Sequence, residues 1–240
     1  MNHHPRARPG DLSGPCPRRP PRLPAALYAP LGLALAVQFA AAAQGASVSF
    51  DDAPEGVPPP GWEATQTGPG AARWTVRADA TAPSRPHTLE QSGQAAFPVC
   101  TRLGTELRDG FVQVRFRAMS GETDRAAGVV WRYRDPNNYY VCRANALENN
   151  VVLYKVEGGR RTDLPVKGEG RTYGKKVAVP SGAWNILAVT VKGSLFAVTL
   201  NGTKLYEVDD ATFTEPGRVG VWTKADSVTH FDDLKLTIVK

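Results

Sequence analysis

The sequence predicts an all-β protein, an antiparallel β-sandwich preceded by a leader for export. Short runs of β-branched and aromatic residues recur along residues 47–240, and Gly, Pro, Asn and Asp separate these runs. No window shows a convincing 3.6-residue apolar period of the kind that an amphipathic helix has. Many short strands without helices are typical of a sandwich or a jelly roll.

Residues 1–46 have the composition of a secretory leader. Arginines precede an apolar run over residues 25–37, and small residues follow it, as in a signal peptide cleaved after Ala43 or Ala46. The run is shorter than the ~20 apolar residues that a membrane span needs. We therefore predict a signal peptide and leader over 1–46 and one folded domain over 47–240. We also predict export to the periplasm or the medium, with no stable membrane span after cleavage; a single N-terminal anchor is the alternative.

The net charge argues against a nucleic-acid partner. The chain carries +6, but the leader holds five arginines and one aspartate, so residues 47–240 retain only +2. A nucleic-acid-binding domain needs a concentrated basic face, which this balance does not indicate. The oligomeric state is left open.

Turn chemistry places three hairpins. The turns are Asp-Pro-Asn-Asn over 135–138, Gly-Gly over 158–159 and Asn-Gly over 201–202, and each stands between two strand-like runs. The strands predicted along the chain are 47–51, 73–78, 87–91, 96–101, 110–118, 126–134, 139–146, 150–156, 176–179, 184–191, 195–201, 204–208, 218–223 and 228–238.

Strand alternation divides the side chains between two faces. If the 135–138 turn pairs Arg134 with Tyr139, Trp131 lies opposite Cys142. One face of this hairpin is then apolar and packs into the sandwich. Its residues are Val129, Trp131, Tyr133, Tyr140, Cys142 and Ala144. In strand 110–118, Val112, Val114 and Phe116 share the corresponding face.

The opposite face is polar and is the candidate binding surface. Guanidinium donors beside aromatic rings suit sugar hydroxyls or the acidic groups of a polysaccharide. We expect Arg132 and Arg143 to project into one open trough on the concave sheet face; a merely solvated face is the alternative. Trp222 could stack on a sugar ring, with a place in the core as its alternative. The predicted substrate-binding residues are Arg115, Arg132, Arg143, Asn145, Lys155 and Trp222.

Two long segments, 108–159 and 217–234, resemble a family of bacterial secreted concanavalin-A-like domains. The resemblance rests on Arg-Asp-Gly-Phe-Val-Gln-Val-Arg-Phe-Arg from Arg108, on Gly-Val-Val-Trp-Arg-Tyr-Arg-Asp-Pro-Asn-Asn-Tyr-Tyr-Val from Gly128, and on the closing Gly-Arg-Val-Gly-Val-Trp from Gly217. Such domains are labelled family-16 glycoside-hydrolase-like, and they are similar to 3-keto-disaccharide hydrolase domains and to laminin-G-type jelly rolls. The resemblance implies a concanavalin-A-like jelly roll over residues 47–240.

The catalytic motif of true family-16 glycosidases does not appear in this sequence. Those enzymes carry Glu-x-Asp-x-(x)-Glu on one strand, because retaining hydrolysis needs two carboxyls about 5–5.5 Å apart. The most similar segment in this sequence is Glu207-Val-Asp209-Asp210, which lacks the last glutamate of the motif. The resemblance therefore implies the fold and does not transfer the mechanism.

Glu148 is the candidate functional carboxylate, either as an acid or base or as a sugar ligand. It follows the strand of Arg143 and Asn145. The alternative is an ordinary turn, because Asn149 and Asn150 tolerate the backbone conformations that turns need.

A calcium site is also predicted. Phe-Asp-Asp occurs at 50–52 and again at 231–233, and pairing of the first and last strands would gather Asp51, Asp232 and Asp233. A β-bulge at 232–233 would restore strand alternation between Phe231 and Leu234. The alternative is that these carboxylates accept hydrogen bonds from backbone amides.

Cys100 and Cys142 are the cysteines that remain after the leader, since Cys16 lies within it. An even pair in an oxidising compartment predicts a disulfide. The alternative is two small buried side chains in the core.

Three functions follow from these features. The first is an exported carbohydrate-recognition domain that binds a saccharide on the concave sheet face. The second is a glycoside hydrolase or lyase that acts on a modified 3-keto sugar, with Glu148 or an aspartate as the base. The third is a structural or protein-interaction domain of the envelope.

Overall fold

The computed structural model describes residues 43–239, which form a sandwich of two antiparallel β-sheets. This confirms the predicted all-β, jelly-roll-like architecture. The proposed leader lies, up to residue 42, outside the described residues, and it stays a prediction. Within residues 43–239 no helix has the length and apolar character that a membrane crossing requires.

One sheet, here called the back sheet, has the strand order β14-β13-β12-β6-β16-β4-β3, with β1 also paired to β16. Its strands are β1 (Ala43–Val48), β3 (Trp74–Ala78), β4 (His87–Gln91), β6 (Asp109–Ser120), β12 (Asn185–Lys192), β13 (Leu195–Leu200), β14 (Thr203–Asp209) and β16 (Val228–Val239).

The other sheet, here called the front sheet, has the order β10-β9-β8-β7-β15-β5-β2, with β11 also paired to β9. Its strands are β2 (Trp62–Ala71), β5 (Gln94–Arg102), β7 (Ala126–Asp135), β8 (Asn138–Asn145), β9 (Asn150–Glu157), β10 (Arg160–Asp163), β11 (Lys175–Lys176) and β15 (Arg218–Trp222). The sequence did not predict β2, whose Gly, Pro and Ala content hides its strand character.

The main core lies between the sheets and follows the predicted alternation. In β6, Val112, Val114 and Phe116 are fully buried while the residues between them are half-buried. In the front sheet, Trp131 packs against Tyr140 with ring centroids 5.4 Å apart. Alternation places these side chains correctly because each sheet turns one face to the other.

The outer face of the front sheet carries a second apolar cluster. We call it the outer cluster, and its buried members are Val99, Ala126, Val130, Tyr133, Tyr139, Val141, Val152, Tyr154, Val156 and Trp222. The central strands of the front sheet therefore bury side chains on both faces, although the sequence predicts a polar outer face.

All three predicted hairpins form. Asn201 and Gly202 both adopt positive φ, 48° and 81°, and close the turn between Leu200 and Thr203. Gly158 and Gly159 do the same between β9 and β10. Positive φ at both central residues is the conformation of the two-residue turn that matches the twist of the strands.

The predicted register of the β7–β8 hairpin is wrong beyond its turn. Asp135 pairs with Asn138 as expected, but Trp131 pairs with Tyr140 and not with Cys142. The register shifts at a bulge between Trp131 and Asp135, where Arg132 has a φ of 47°. The bulge sends Tyr133 to the outer cluster and Arg132 away from it, so neither lies on its predicted face.

Two other features correct or confirm local predictions. The predicted bulge at 232–233 is confirmed, since the register of β16 on β6 shifts between Asp232 and Lys235.

The predicted Cys100–Cys142 disulfide is wrong, because both cysteines are free and buried. They lie on β5 and β8, three strand positions apart, about 14 Å at the usual strand spacing, and a disulfide needs Cα atoms within about 7 Å.

We expect Arg132→Ala to destabilise the fold by about 3 kcal/mol or more. The guanidinium is buried and donates hydrogen bonds to the carbonyl oxygens of Arg108, Gly193 and Phe213, and its removal leaves buried acceptors unsatisfied. Urea unfolding measures the change. Arg134→Ala, which removes an exposed guanidinium over the Phe213 ring, is the matched control and should cost about 1 kcal/mol or less. Equal losses in the two variants would contradict the structural role of Arg132.

We expect both Cys100 and Cys142 to stay unreactive in the folded protein and to react after unfolding. Burial raises the pKa of each thiol, and the thiolate is the reactive form. Thiol titration with and without denaturant, on protein exported to an oxidising compartment, measures this. Fewer than two titratable thiols in the unfolded chain after removal of residues 1–46 would show that a disulfide forms.

Candidate functional site

The outer face of the front sheet is strongly concave. β5 and β9 are four strand positions apart in this sheet, which is about 19 Å in a flat sheet. Yet the Arg161 guanidinium carbon lies 4.8 Å from the ring centroid of Phe97 on β5 and 4.3 Å from that of Tyr154 on β9. One side chain can reach both rings only if the sheet curves around it. The floor beneath is filled by the outer cluster, so the predicted open trough is wrong.

Arg143 lies at one end of this concave face and is fully buried. Its guanidinium donates to both carboxylate oxygens of Glu148, at 3.3 and 2.8 Å, and to Oδ1 of Asn150 at 2.8 Å. The Tyr154 and Tyr173 ring centroids lie 5.6 and 5.8 Å from the guanidinium carbon. A buried guanidinium is tolerable here because a carboxylate neutralises it and both of its Nη atoms donate hydrogen bonds.

Asn145 and Asp124 complete this group, which we call the Arg143 network: Arg143, Asn145, Glu148, Asn150 and Asp124. The Asn145 amide donates to Asp124 at 2.7 Å and to Glu148 at 3.2 Å. Asp124 is buried and also forms a salt bridge with Lys224. The structure thus brings the predicted Arg143, Asn145 and Glu148 together.

Glu148 is the exposed member of the network. Its side chain is 37% exposed, whereas those of Arg143 and Asp124 are 0% and 1% exposed. Burial raises the pKa of Glu148, but the hydrogen bond and charge of Arg143 outweigh that effect and hold the pKa below its usual range. Glu148 is therefore ionised at neutral pH and acts as a hydrogen-bond acceptor.

Tyr173 supplies an exposed aromatic ring beside this carboxylate. The residue is 44% exposed and has a φ of 56°, a left-handed conformation that is uncommon outside glycine. Its hydroxyl accepts a hydrogen bond from Tyr154 at 2.9 Å. An exposed ring held by a buried neighbour in a strained backbone is a recurrent feature of ligand sites.

Three predicted binding residues, Arg132, Arg115 and Lys155, lie elsewhere, so their assignment to this trough is wrong. Arg132 points away from the concave face and donates its guanidinium hydrogen bonds to backbone carbonyl oxygens. Arg115 belongs to the back sheet and pairs with Asp233 at 3.1 Å. Lys155 donates a hydrogen bond to the Thr212 hydroxyl at 2.7 Å. Its side chain lies on the face of β9 opposite to that of Tyr154.

Trp222 lies on the concave face but does not present a stacking surface. It is fully buried, stacks on Phe97 with centroids 5.7 Å apart, and donates to the Tyr139 hydroxyl at 3.3 Å. The Tyr139 hydroxyl is in turn bonded to that of Thr67 at 2.8 Å. Its role is packing, which is the alternative that the sequence left open.

The predicted calcium site is wrong for the described residues. Among residues 43–239 no three His, Cys, Asp or Glu side chains are placed to hold a metal ion. Asp232 accepts hydrogen bonds from the amide and hydroxyl of Ser84 and from the Asp233 amide, and Asp51 accepts one from the His87 amide. The carboxylates serve as acceptors for backbone amides, as the alternative reading held.

Three residues of the concave face were missed by sequence reasoning: Asp124, Arg161 and Tyr173. For Arg161 a signal existed, because the Gly158-Gly159 turn fixes the pairing of Arg161 with Val156 and so places it on the face of Tyr154. Asp124 and Tyr173 lie in loops, where the strand alternation that assigns side chains to one face of a sheet does not apply.

His230 forms a separate polar cluster on the back sheet. Its Nδ1 lies 2.8 Å from Asp79 and its Nε2 lies 3.1 Å from Glu90. Burial lowers the pKa of His230, but the two carboxylates outweigh it and raise that pKa above its usual range. With both nitrogens bonded to carboxylates, His230 is a charged structural residue.

Comparison with known proteins identifies the fold. No protein-family model matches the chain, and no curated protein sequence matches it. Among solved structures, it is similar to the carbohydrate-binding module CBM66 from Bacillus subtilis, with a TM-score of 0.56 and 16% identity over 73% of this chain and 94% of that one. It is also similar to the cellulose-induced protein Cip1, with a TM-score of 0.55 and 14% identity over 80% of this chain and 96% of that one. At these identities the likeness shows a shared β-sandwich fold.

The His230 cluster predicts a pH-dependent effect of His230→Gln on stability. Because His230 has a higher pKa in the folded protein than in the unfolded chain, its protonation stabilises the fold. This stabilisation is complete below about pH 6.5 and disappears as the pH rises through the folded-state pKa. The pKa values of Asp79 and Glu90 are lowered, so their contribution disappears as the pH falls below about 4. The difference in melting temperature between wild type and variant should therefore be largest near pH 5–6 and shrink on either side.

Thermal unfolding from pH 3.5 to pH 9 measures this difference. His87→Gln is the matched control, because His87 pairs with Glu55, whose side chain is 58% exposed, and such pairs contribute little. A difference for His230→Gln that stays constant with pH would contradict the charged cluster.

Proposed function

We propose that this protein is an exported carbohydrate-recognition domain that binds saccharide at the rim of the concave face of the front sheet. The observation that carries the proposal is that the exposed residues Tyr173 and Glu148 both contact the buried Arg143 guanidinium. An exposed ring offers a flat apolar surface for a sugar ring, and an ionised carboxylate accepts hydrogen bonds from its hydroxyls.

Preorganisation supports binding at this place. Glu148 is held from behind by Arg143 and by the Asn150 amide, which donates to it at 2.9 Å. Its oxygens therefore keep their position without a ligand, and little side-chain entropy is lost when a sugar binds. The fold of the carbohydrate-binding module CBM66, which this chain shares, is consistent with such a role, and export would place the domain where polysaccharides occur.

A glycoside hydrolase is the second candidate, and one observation favours it. Asp124 and Glu148 both accept a hydrogen bond from the Asn145 amide, so two carboxylates are neighbours, as retaining hydrolysis requires. However, Asp124 is buried beneath Lys224, and the pKa of Glu148 is lowered, whereas a general acid needs a raised pKa. The geometry therefore supports binding better than bond cleavage.

We expect Tyr173→Ala to weaken saccharide binding by about fivefold or more, since loss of an aromatic contact typically costs about 1 kcal/mol or more. Affinity electrophoresis of the exported protein in gels containing soluble polysaccharides measures the retardation. Trp184→Ala is the matched control, because Trp184 is a half-exposed aromatic residue of the loop that leads into the back sheet. Glu148→Gln, checked for folding, should weaken binding as well.

Equal retardation of wild type and Tyr173→Ala would contradict this site, and no retardation by any neutral or acidic polysaccharide would contradict the function. A stable complex with an envelope protein that added sugars do not disturb would instead support an interaction domain.

A further inference from the structure

Arg161 differs from the other cations of the concave face because no carboxylate neutralises it. Arg143 pairs with Glu148, Lys224 with Asp124, and Arg171 with Asp163 at 2.9 Å. Arg161 forms no salt bridge and no guanidinium hydrogen bond with another residue of the described chain. The face therefore carries a net positive charge at Arg161.

One donor atom of Arg161 is both buried and unpartnered. Nη1 is inaccessible to water and has no hydrogen-bond partner among residues 43–239. A buried polar group without a partner costs free energy, more so when it is charged. The other guanidinium nitrogens of Arg161 also have no partner among residues 43–239, but they are not closed off from water, so they are the donors that a ligand can reach.

Aromatic rings surround the Arg161 guanidinium. Its central carbon lies over the rings of Tyr154, Phe97 and Trp222, at 4.3, 4.8 and 5.8 Å from their centroids. Rings bind a guanidinium through its flat face. No N–H group of the guanidinium donates to an oxygen or nitrogen of these residues, and a pair of guanidinium donors matches the paired oxygens of an anion.

We propose that Arg161 selects saccharides that carry an anionic group, a carboxylate or a sulfate ester, over neutral saccharides. This inference rests on the proposed carbohydrate-binding function and names the chemistry that the concave face distinguishes. Arg143 does not supply this selectivity, because its guanidinium is fully buried and Glu148 already neutralises it.

The test compares polymers that differ only in charge. We expect the wild-type exported protein to bind polygalacturonate about tenfold more tightly than its methyl ester, the gain expected from one charge-assisted hydrogen-bonded pair. A parallel comparison of dextran sulfate with dextran tests the sulfate ester as the source of the anion. Isothermal titration or affinity electrophoresis at fixed salt measures each ratio.

Arg161→Gln should reduce the preference to about one, and Arg161→Lys should keep part of it because the charge remains without the planar pair of donors. Arg160→Gln is the matched control. It removes the same charge from the neighbouring, exposed residue of β10, whose side chain points to the other side of the strand. Melting temperatures of the variants show that each is folded.

The outcomes separate this inference from the proposed function. Equal binding of the charged and neutral polymers by the wild type overturns the inference and leaves carbohydrate binding intact. A preference that survives in Arg161→Gln, or that Arg160→Gln abolishes equally, overturns the assignment to Arg161. Binding to none of the four polymers, with none found across the wider panel, overturns both.

Discussion

The structure depends on the burial of both faces of the central front-sheet strands. Val129 and Cys142 pack between the sheets, while Val130 and Val141 pack in the outer cluster, and all four are fully inaccessible to water. Strands buried on both faces read as continuous apolar runs. Polar groups on these strands therefore lower the stability of the fold unless they find partners within the protein.

Three buried or half-buried arginines meet this constraint in three different ways. Arg132 donates hydrogen bonds to backbone carbonyl oxygens, and Arg143 donates to a carboxylate and to a side-chain amide oxygen. Arg161 packs its guanidinium against aromatic rings. The first two direct most of their guanidinium donors to acceptors of the protein and hold it in shape. The third is stabilised by its rings but keeps unused donors, and for this reason it is the arginine with chemistry left for a ligand.

The paired strands were predictable wherever local chemistry decides the geometry. Alternation placed the core residues of β6, and the Asn201-Gly202 and Gly158-Gly159 turns fixed two hairpins, because turn and pleat depend on adjacent residues alone. The β7–β8 register was not predictable. Gly217, which precedes a distant strand, runs so close to the backbone of Arg132 that a Cβ at Gly217 would lie 2.6 Å from its carbonyl carbon, and the bulge forms against this remote segment.

By itself, the sequence determined the all-β sandwich, its hairpins, the bulge at 232–233 and the neighbourhood of Arg143, Asn145 and Glu148. Each of these depends on contacts between residues that are close in the chain or related by a simple strand period. Only the tertiary structure decided that Arg132 and Arg143 lie on different sides, that Trp222 is covered and that Arg161 meets Phe97 across the concave face. These outcomes depend on sheet curvature and on contacts between strands far apart in sequence, for which no local pattern of residues carries a signal.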